Sequence, residues 1–266
     1  MTICRCSRLA LVLLTTVGFA PAALAQAIEA PPPAPVVQAQ PPAPVAPPPP
    51  PQEGRSTDAN IDHGIILQTA ETLPRGAVEF TDTELLMMGF SAGVTDFLQL
   101  SLASTIPMGD LMIFDLGAKL RVLKTERFRL ALTSQLFVAK NNHDTDTLFV
   151  GGPTATVCLD ELCRSMLTGQ VSLLKASGNG ESSLLGYGAS LLVAVAEHAK
   201  LMLEFANLSA LNGHGDDPNG AGMLGYGIRL NGGRVSADIA FLKPLTDSGS
   251  SLPLGLPWLN LSYRFN

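Results

Sequence analysis

A closed, antiparallel transmembrane β-barrel of about 12 strands is the fold class that this sequence predicts. Three observations predict it. Polar and apolar residues alternate along most of the second half of the chain. An export signal opens the chain, and no later apolar run is long enough for a membrane helix. Short and long connections alternate between the predicted strands.

The alternation is the strongest of the three. Phe114, Leu116, Ala118, Leu120 and Val122 are interleaved with Asp115, Gly117, Lys119 and Arg121. Leu224, Tyr226, Ile228 and Leu230 are interleaved with Gly225, Gly227 and Arg229, and Leu259, Leu261, Tyr263 and Phe265 with Asn260, Ser262 and Arg264. Successive side chains of a strand point to opposite faces, so each segment has one wholly apolar face and one polar, charged face. A 3.6-residue period would scatter the same residues around a helix axis. Repeated along an exported chain, the pattern describes a wall with lipid outside and water inside.

Residues 1–25 read as a signal peptide. Arg5 and Arg8 form its positive start, Leu9 to Ala20 its apolar middle, and Ala23-Leu24-Ala25 its small-residue cleavage site. The apolar middle is short for a spanning helix, which needs about 20 residues. Cys4 and Cys6 lie too early for a lipidated first residue of the mature chain. With 17 basic and 23 acidic residues the net charge is −6, and loss of Arg5 and Arg8 takes it to −8. That balance excludes nucleic acid as a partner. Hydrophobic residues make up 46% of the chain and aromatic residues only 6%, an aliphatic excess that must face something apolar.

Residues 26–62 form a linker. Ala27 to Gln52 is dominated by proline and is expected to be extended and disordered, and Glu53 to Asp62 continues it. A strut through the periplasm or its cell-wall mesh and a plain tether both suit it.

The barrel is assigned to residues 63–266. Its predicted strands are Ile65–Ala70, Ala77–Ala92, Phe97–Thr105, Leu111–Leu123, Phe128–Lys140, Thr147–Val157, Ser165–Lys175, Ser183–Val195, Lys200–Leu208, Ala221–Leu230, Arg234–Lys243 and Trp258–Phe265. Short turns fall at Gly93–Asp96, Lys124–Glu126, Leu159–Cys163, Glu197-His198 and Gly232-Gly233. Longer connections fall at Glu71–Gly76, Ile106–Asp110, Asn141–Asp146, Ser177–Ser182, Ser209–Gly220 and Pro244–Pro257. Short periplasmic turns and long outward loops are the asymmetry of outer-membrane barrels, and they place both chain ends in the periplasm.

A two-residue loop at Gly232-Gly233 pairs Leu230 with Val235, Ile228 with Ala237 and Tyr226 with Ile239, all on the lipid face. Cys158 and Cys163 bracket a turn, a spacing that suits a disulfide in an oxidising compartment. Two small apolar residues are the other reading, because the in-phase register sets Cys158 opposite Arg164. Pro153 removes a ladder donor and should mark a bulge. Asp82 and Glu84 fall on the lipid phase, so either the register resets there or that half projects beyond the membrane. The glycines of Gly186-Tyr187-Gly188 and Gly225-Tyr226-Gly227 lie on the lumen face as space-makers or bends.

The lumen face carries two sets of charge. Arg121, Arg129, Lys200, Arg229, Arg234 and Arg264 all lie near periplasmic turns or the C-terminus and predict a basic ring at that mouth. Asp115, Glu204 and Asp238 lie further away and predict an acidic belt above it. Arg229 is diagonal to Asp238. A charged ring of this kind selects anions when the lumen is open, so the leading expectation is a passive small-solute channel. The alternative is a closed structural or tethering barrel whose charges neutralise one another. Catalysis is not expected: His63, His143, His198 and His214 have no Ser partner at motif spacing. The loops at 141–146 and 214–217 could gather a divalent cation through oxygens but read as solvated tips. No metal site and no cofactor are expected.

The ending WLNLSYRFN resembles the C-terminal assembly signal of bacterial outer-membrane barrels, with Asn266 following Phe265 where that signal would end. The stretch from Thr72 to Leu100, with its TLPRG turn, a strand and a GVTD turn, resembles the opening of a group of uncharacterised bacterial outer-membrane β-barrel proteins. The resemblance implies the fold, a Gram-negative outer-membrane location and contact with the barrel-assembly machinery through the last strand. It implies no substrate and no catalytic residues.

Overall fold

Alternation becomes exposure in three dimensions, with the sense opposite to that of a water-soluble protein. In one strand Leu116 is 52% exposed while its neighbour Asp115 is 7% exposed. A computed structural model describes residues 58–106, 111–140, 144–177, 182–211, 221–245 and 253–265. The signal peptide, the proline-rich stretch, His143 and His214 lie outside the described residues.

The strands are β1 (Val78–Thr83), β2 (Met87–Gly93), β3 (Leu98–Thr105), β4 (Met112–Lys124), β5 (Phe128–Lys140), β6 (Thr145–Cys158), β7 (Met166–Ser177), β8 (Ser182–Ala196), β9 (Ala199–Ala210), β10 (Ala221–Asn231), β11 (Val235–Pro244) and β12 (Leu256–Phe265). Each pairs antiparallel with its sequence neighbours, and β1 closes on β12 with Val78 opposite Phe265 and Thr83 opposite Asn260. Closure leaves no strand edge, which is the condition for a sheet to sit in lipid. The outer face is a continuous apolar band, with Leu201, Leu203, Phe205, Leu230, Ile239, Leu259 and Leu261 all exposed. Aromatic pairs add to it: Tyr263 with Phe265, Tyr226 with Phe241, and Phe80 with Phe90.

The sequence count of strands is reached by a different partition. Ile65–Ala70 is not a wall strand; its segment makes only an isolated bridge between His63 and Gln68. The predicted strand Ala77–Ala92 is a hairpin, β1 and β2, turning at Glu84 and Leu85 with positive φ angles of 59° and 57°. Glu84 breaks phase because the chain turns there, whereas Asp82 stays in the β1 ladder on the outer face, opposite Leu261 and Met88.

Two hairpins are two residues looser than expected. Leu230 lies opposite Ala237, Ile228 opposite Ile239 and Tyr226 opposite Phe241. Cys158 lies opposite Met166 instead of Arg164. The shift is even, so every side chain keeps its face. Cys158 and Cys163 form a disulfide with their Cα atoms 4.6 Å apart, and Cys163 takes a positive φ in the relaxed turn. Pro153 makes no bulge: the β6–β7 register is the same on both sides of Gly152 and Pro153, and only those two positions drop out of the ladder. The bulges lie instead at Arg121/Leu123 and Ala194/Ala196.

The barrel wall proper starts at Val78, so residues 58–77 are neither linker nor wall. Asp58, Ala59, Asn60, Ile61, Asp62, Ile65, Thr69, Ala70, Glu71 and Leu73 are all buried, because this segment runs inside the lumen.

The lipid-facing assignment has a direct check. Leu203→Arg puts a cation on the outer band, and the expected cost is about 2–4 kcal/mol near the bilayer midplane. Equilibrium unfolding in lipid vesicles measures it, and a cost near zero would mean that this face does not meet lipid.

Candidate functional site

The inward-facing polar side chains of the wall converge on residues 58–76. The segment enters beside the C-terminal strand and the β8–β9 and β10–β11 turns. It reaches deepest around Gly64–Leu67, then returns to join β1. At the exit, Gly76 donates its N–H to the carbonyl of Gly93 at 2.7 Å.

Arg229 organises the entrance. It is fully buried. Its Nε and Nη2 donate to Asp238 Oδ1 and Oδ2 at 2.7 and 2.8 Å. Its Nη1 lies 3.6 Å from Asp58 Oδ2 and donates to the Asn60 carbonyl. Nη2 also donates to the carbonyls of His63 and Gly64 at 3.0 and 3.2 Å. One guanidinium thus holds a wall carboxylate, a segment carboxylate and three segment carbonyls, which its fixed fork of donors allows. Beside it, Lys200 Nζ donates to Asp58 Oδ2 at 2.6 Å, Asn60 Nδ2 donates to Asp238 Oδ2 at 2.8 Å, and Arg264 donates to the Ala59 carbonyl. Burial pushes the Asp58 carboxyl up, but the charges of Arg229 and Lys200 outweigh it and hold the group below its ordinary 3.8.

The return limb is held the same way. Glu71 lies 2.6 Å from Arg129 and 3.4 Å from Arg121. Lys119 Nζ donates to the carbonyls of Asp62 and Glu71 at 2.6 and 3.1 Å. Gln99 bridges the limbs, donating to Asp62 Oδ2 at 2.5 Å and accepting from the Leu73 N–H at 2.9 Å. Thr156 accepts from the Ala70 N–H at 2.9 Å.

At the inner tip, Glu204 accepts three consecutive backbone N–H groups, from Ile65 at 3.0 Å, Ile66 at 2.7 Å and Leu67 at 2.8 Å. The wall recedes to admit the tip. A Cβ on Gly225 would lie 3.0 Å from Ile65 Cδ1, and one on Gly188 would lie 2.8 Å from Leu67 Cδ1. These two lumen-face glycines make room for the segment's apolar side chains. Gly64 answers the same constraint from the segment side, since a Cβ there would fall 2.3 Å from Glu204 Oε2 and 2.8 Å from Ser190 Oγ.

The predicted ring is therefore a docking surface. Arg121, Arg129, Lys200, Arg229 and Arg264 all bind residues 58–71, while Arg234 is exposed at the rim. The acidic belt does not exist as a layer. Asp238 is directly opposite Arg229, at the ring's own level, instead of diagonal to it. Glu204 caps the tip, and Asp115 lies apart with Gln135 Nε2 3.4 Å away. Sequence reasoning missed Asp58, Asp62 and Glu71, assigned to the linker or a loop, and it missed Lys119, Glu79 and Gln99 on the wall. Their signal was present in the acidic residues on either side of Ile65 and in a second luminal cation on β4.

His63 is the luminal histidine among the described residues. Its Nδ1 lies 2.9 Å from Asp62 Oδ1 and its Nε2 lies 3.4 Å from Asn260 Nδ2. Asp62, His63, Gln99, Asp115, Lys119 and Gln135 line a small cavity beside the segment.

No family model and no curated protein matches the chain. Several solved barrels do. The NanC porin aligns with a TM-score of 0.45 at 6% identity, covering 71% of this chain and 97% of that one. LpxR from Salmonella typhimurium aligns at 0.41 and 13% identity, covering 71% and 99%. An anion-selective porin from Comamonas acidovorans aligns at 0.39 and 11% identity, covering 67% and 59%.

The fit at the tip is testable by adding one methyl group. Gly64→Ala should displace the Glu204 carboxylate from its three N–H donors and weaken docking of the segment by about 1–3 kcal/mol. Amide exchange at Ile65–Leu67 should rise while exchange in the wall strands stays unchanged. Unaltered exchange at the tip would refute the steric argument.

Proposed function

We propose that this protein is a porin-like barrel of the Gram-negative outer membrane, held closed at rest by its own N-terminal segment, which enters from the periplasmic mouth. The observation that carries the reading is the use of five of the six ring cations to hold residues 58–71. In this state the ring cannot act as an anion-selecting constriction, because carboxylates and carbonyls of the segment already occupy it. Withdrawal of the segment exposes the ring to water and restores that property, so anion preference belongs to the opened barrel. The proline-rich stretch that precedes Asp58 then lies on the periplasmic side, where it can reach the cell wall.

Planar-bilayer recording tests this. Refolded full-length protein should be closed for most of the record, and deletion of residues 58–73 should give stable openings that favour anions. Equal conductance of the two would show that the segment does not seal the lumen. Closure of both would favour a structural or tethering barrel.

The reading also fixes a pH dependence. The Asp58 pKa in the folded protein lies below the ordinary 3.8, so its stabilisation of the docked segment is present above that value and lost as pH falls through it. Openings should be rare at neutral pH and rise in frequency below about pH 4. Asp58→Asn should open at neutral pH and respond less to acid. A wild-type record that is flat between neutral pH and pH 3 would count against Asp58 as a latch.

A further inference from the structure

We propose that Asp62, His63 and Glu79 form a binding site for a first-row divalent cation of the zinc type, which ties the luminal segment to the barrel wall. One ligand atom from each residue lies within 4.8 Å of the other two. Asp62 and Glu79 are buried and His63 is partly exposed.

The independent sign of a ligand is Glu79. It is fully buried, and neither of its carboxylate oxygens has a hydrogen-bond donor. Its neighbour across the β1–β12 ladder is Arg264, whose Nη2 lies 3.5 Å from Oε2, but that guanidinium is turned to the Ala59 carbonyl. Buried carboxylates are otherwise hydrogen-bonded, paired or metal-bound. Glu79 is paired with Arg264 at 3.5 Å but accepts no hydrogen bond, and it shares its space with a second carboxylate and an imidazole.

The other two ligands are already oriented. Asp62 Oδ2 is held by Gln99 at 2.5 Å, with Lys119 Nζ at 3.9 Å, which leaves Oδ1 on the His63 side. Gln99 is an outer partner of the kind that fixes the direction of a metal ligand. One imidazole with two carboxylates suits zinc and its first-row neighbours, whereas calcium and magnesium prefer oxygen alone. Three protein ligands leave a coordination position open. Asp62 and His63 border the small cavity, and Glu79 is not among the residues that line it.

Asp62 and His63 belong to the segment and Glu79 belongs to β1, so a bound cation links the two. The site requires only the luminal position of the segment. It does not depend on whether the barrel conducts.

The test is titration of refolded, chelator-stripped full-length protein with Zn²⁺ by calorimetry, with Co²⁺ absorption as the spectroscopic counterpart. One equivalent should bind saturably, and the Co²⁺ spectrum should report nitrogen and oxygen ligands. Glu79→Gln and His63→Gln should each weaken binding at least ten-fold, while the combined variant His143→Ala, His198→Ala, His214→Ala should bind as the wild type does. Retention of the heat-dependent shift in SDS mobility verifies that each variant is folded. If Glu79→Gln does not fold, His63→Gln carries the comparison alone. Absence of saturable binding by the wild type would overturn the site. So would unchanged affinity in the folded Glu79 and His63 variants.

Discussion

A charge that faces inward from a membrane-spanning strand cannot be left uncompensated, and this constraint organises the structure. Lipid fixes the outer face as apolar, and the period of two sends the buried charges of the spanning strands to the lumen. In a wide porin water solvates those groups. In a 12-stranded barrel the space is narrower, and here a segment of the same chain takes the place of water. Arg229 shows the solution in full: a buried guanidinium whose donors are distributed between Asp238 on the wall and carboxylate and carbonyl oxygens on the segment.

Removal of one partner from a buried pair costs about 3–5 kcal/mol, whereas the pair itself adds little net stability. The contacts therefore set where the segment lies more than they hold it in place. Leu73 and Ile65, both buried, supply the non-directional part, about 1.5–3 kcal/mol each. Direction comes from the polar set. A shift of the tip by one residue would take the N–H groups of Ile65, Ile66 and Leu67 off the Glu204 carboxylate and carry Asp58 away from Lys200.

The wall was legible in the sequence because one physical rule, alternate faces, acts on every strand independently. Errors of register did little harm: the hairpins at Gly232 and Cys158 are both off by two residues, and an even shift preserves the faces. The strand total survived because a false strand at Ile65–Ala70 offset the hairpin hidden within Ala77–Ala92. The segment was not legible. Its conformation follows no period, since it is dictated by where wall side chains happen to present donors and acceptors. Ile65-Ile66-Leu67 reads as a strand by composition alone, and Asp58 and Asp62 read as solvated linker. The basic residues were found, but their partners lie 142 residues away for Lys200–Asp58 and 9 for Arg229–Asp238, and only the closer pair falls within reach of a hairpin argument.

Covalent continuity explains how such a segment can dock specifically through individually weak contacts. The segment runs directly into β1, so docking loses no translational freedom, and the wall meets it at a high effective concentration. Contacts that would be too weak to hold a separate peptide suffice to hold this one. Glu79 differs from the others because it sits on β1 itself, where the segment becomes wall. It is a group of the wall that faces the luminal segment, and whatever neutralises it acts at the joint between the two.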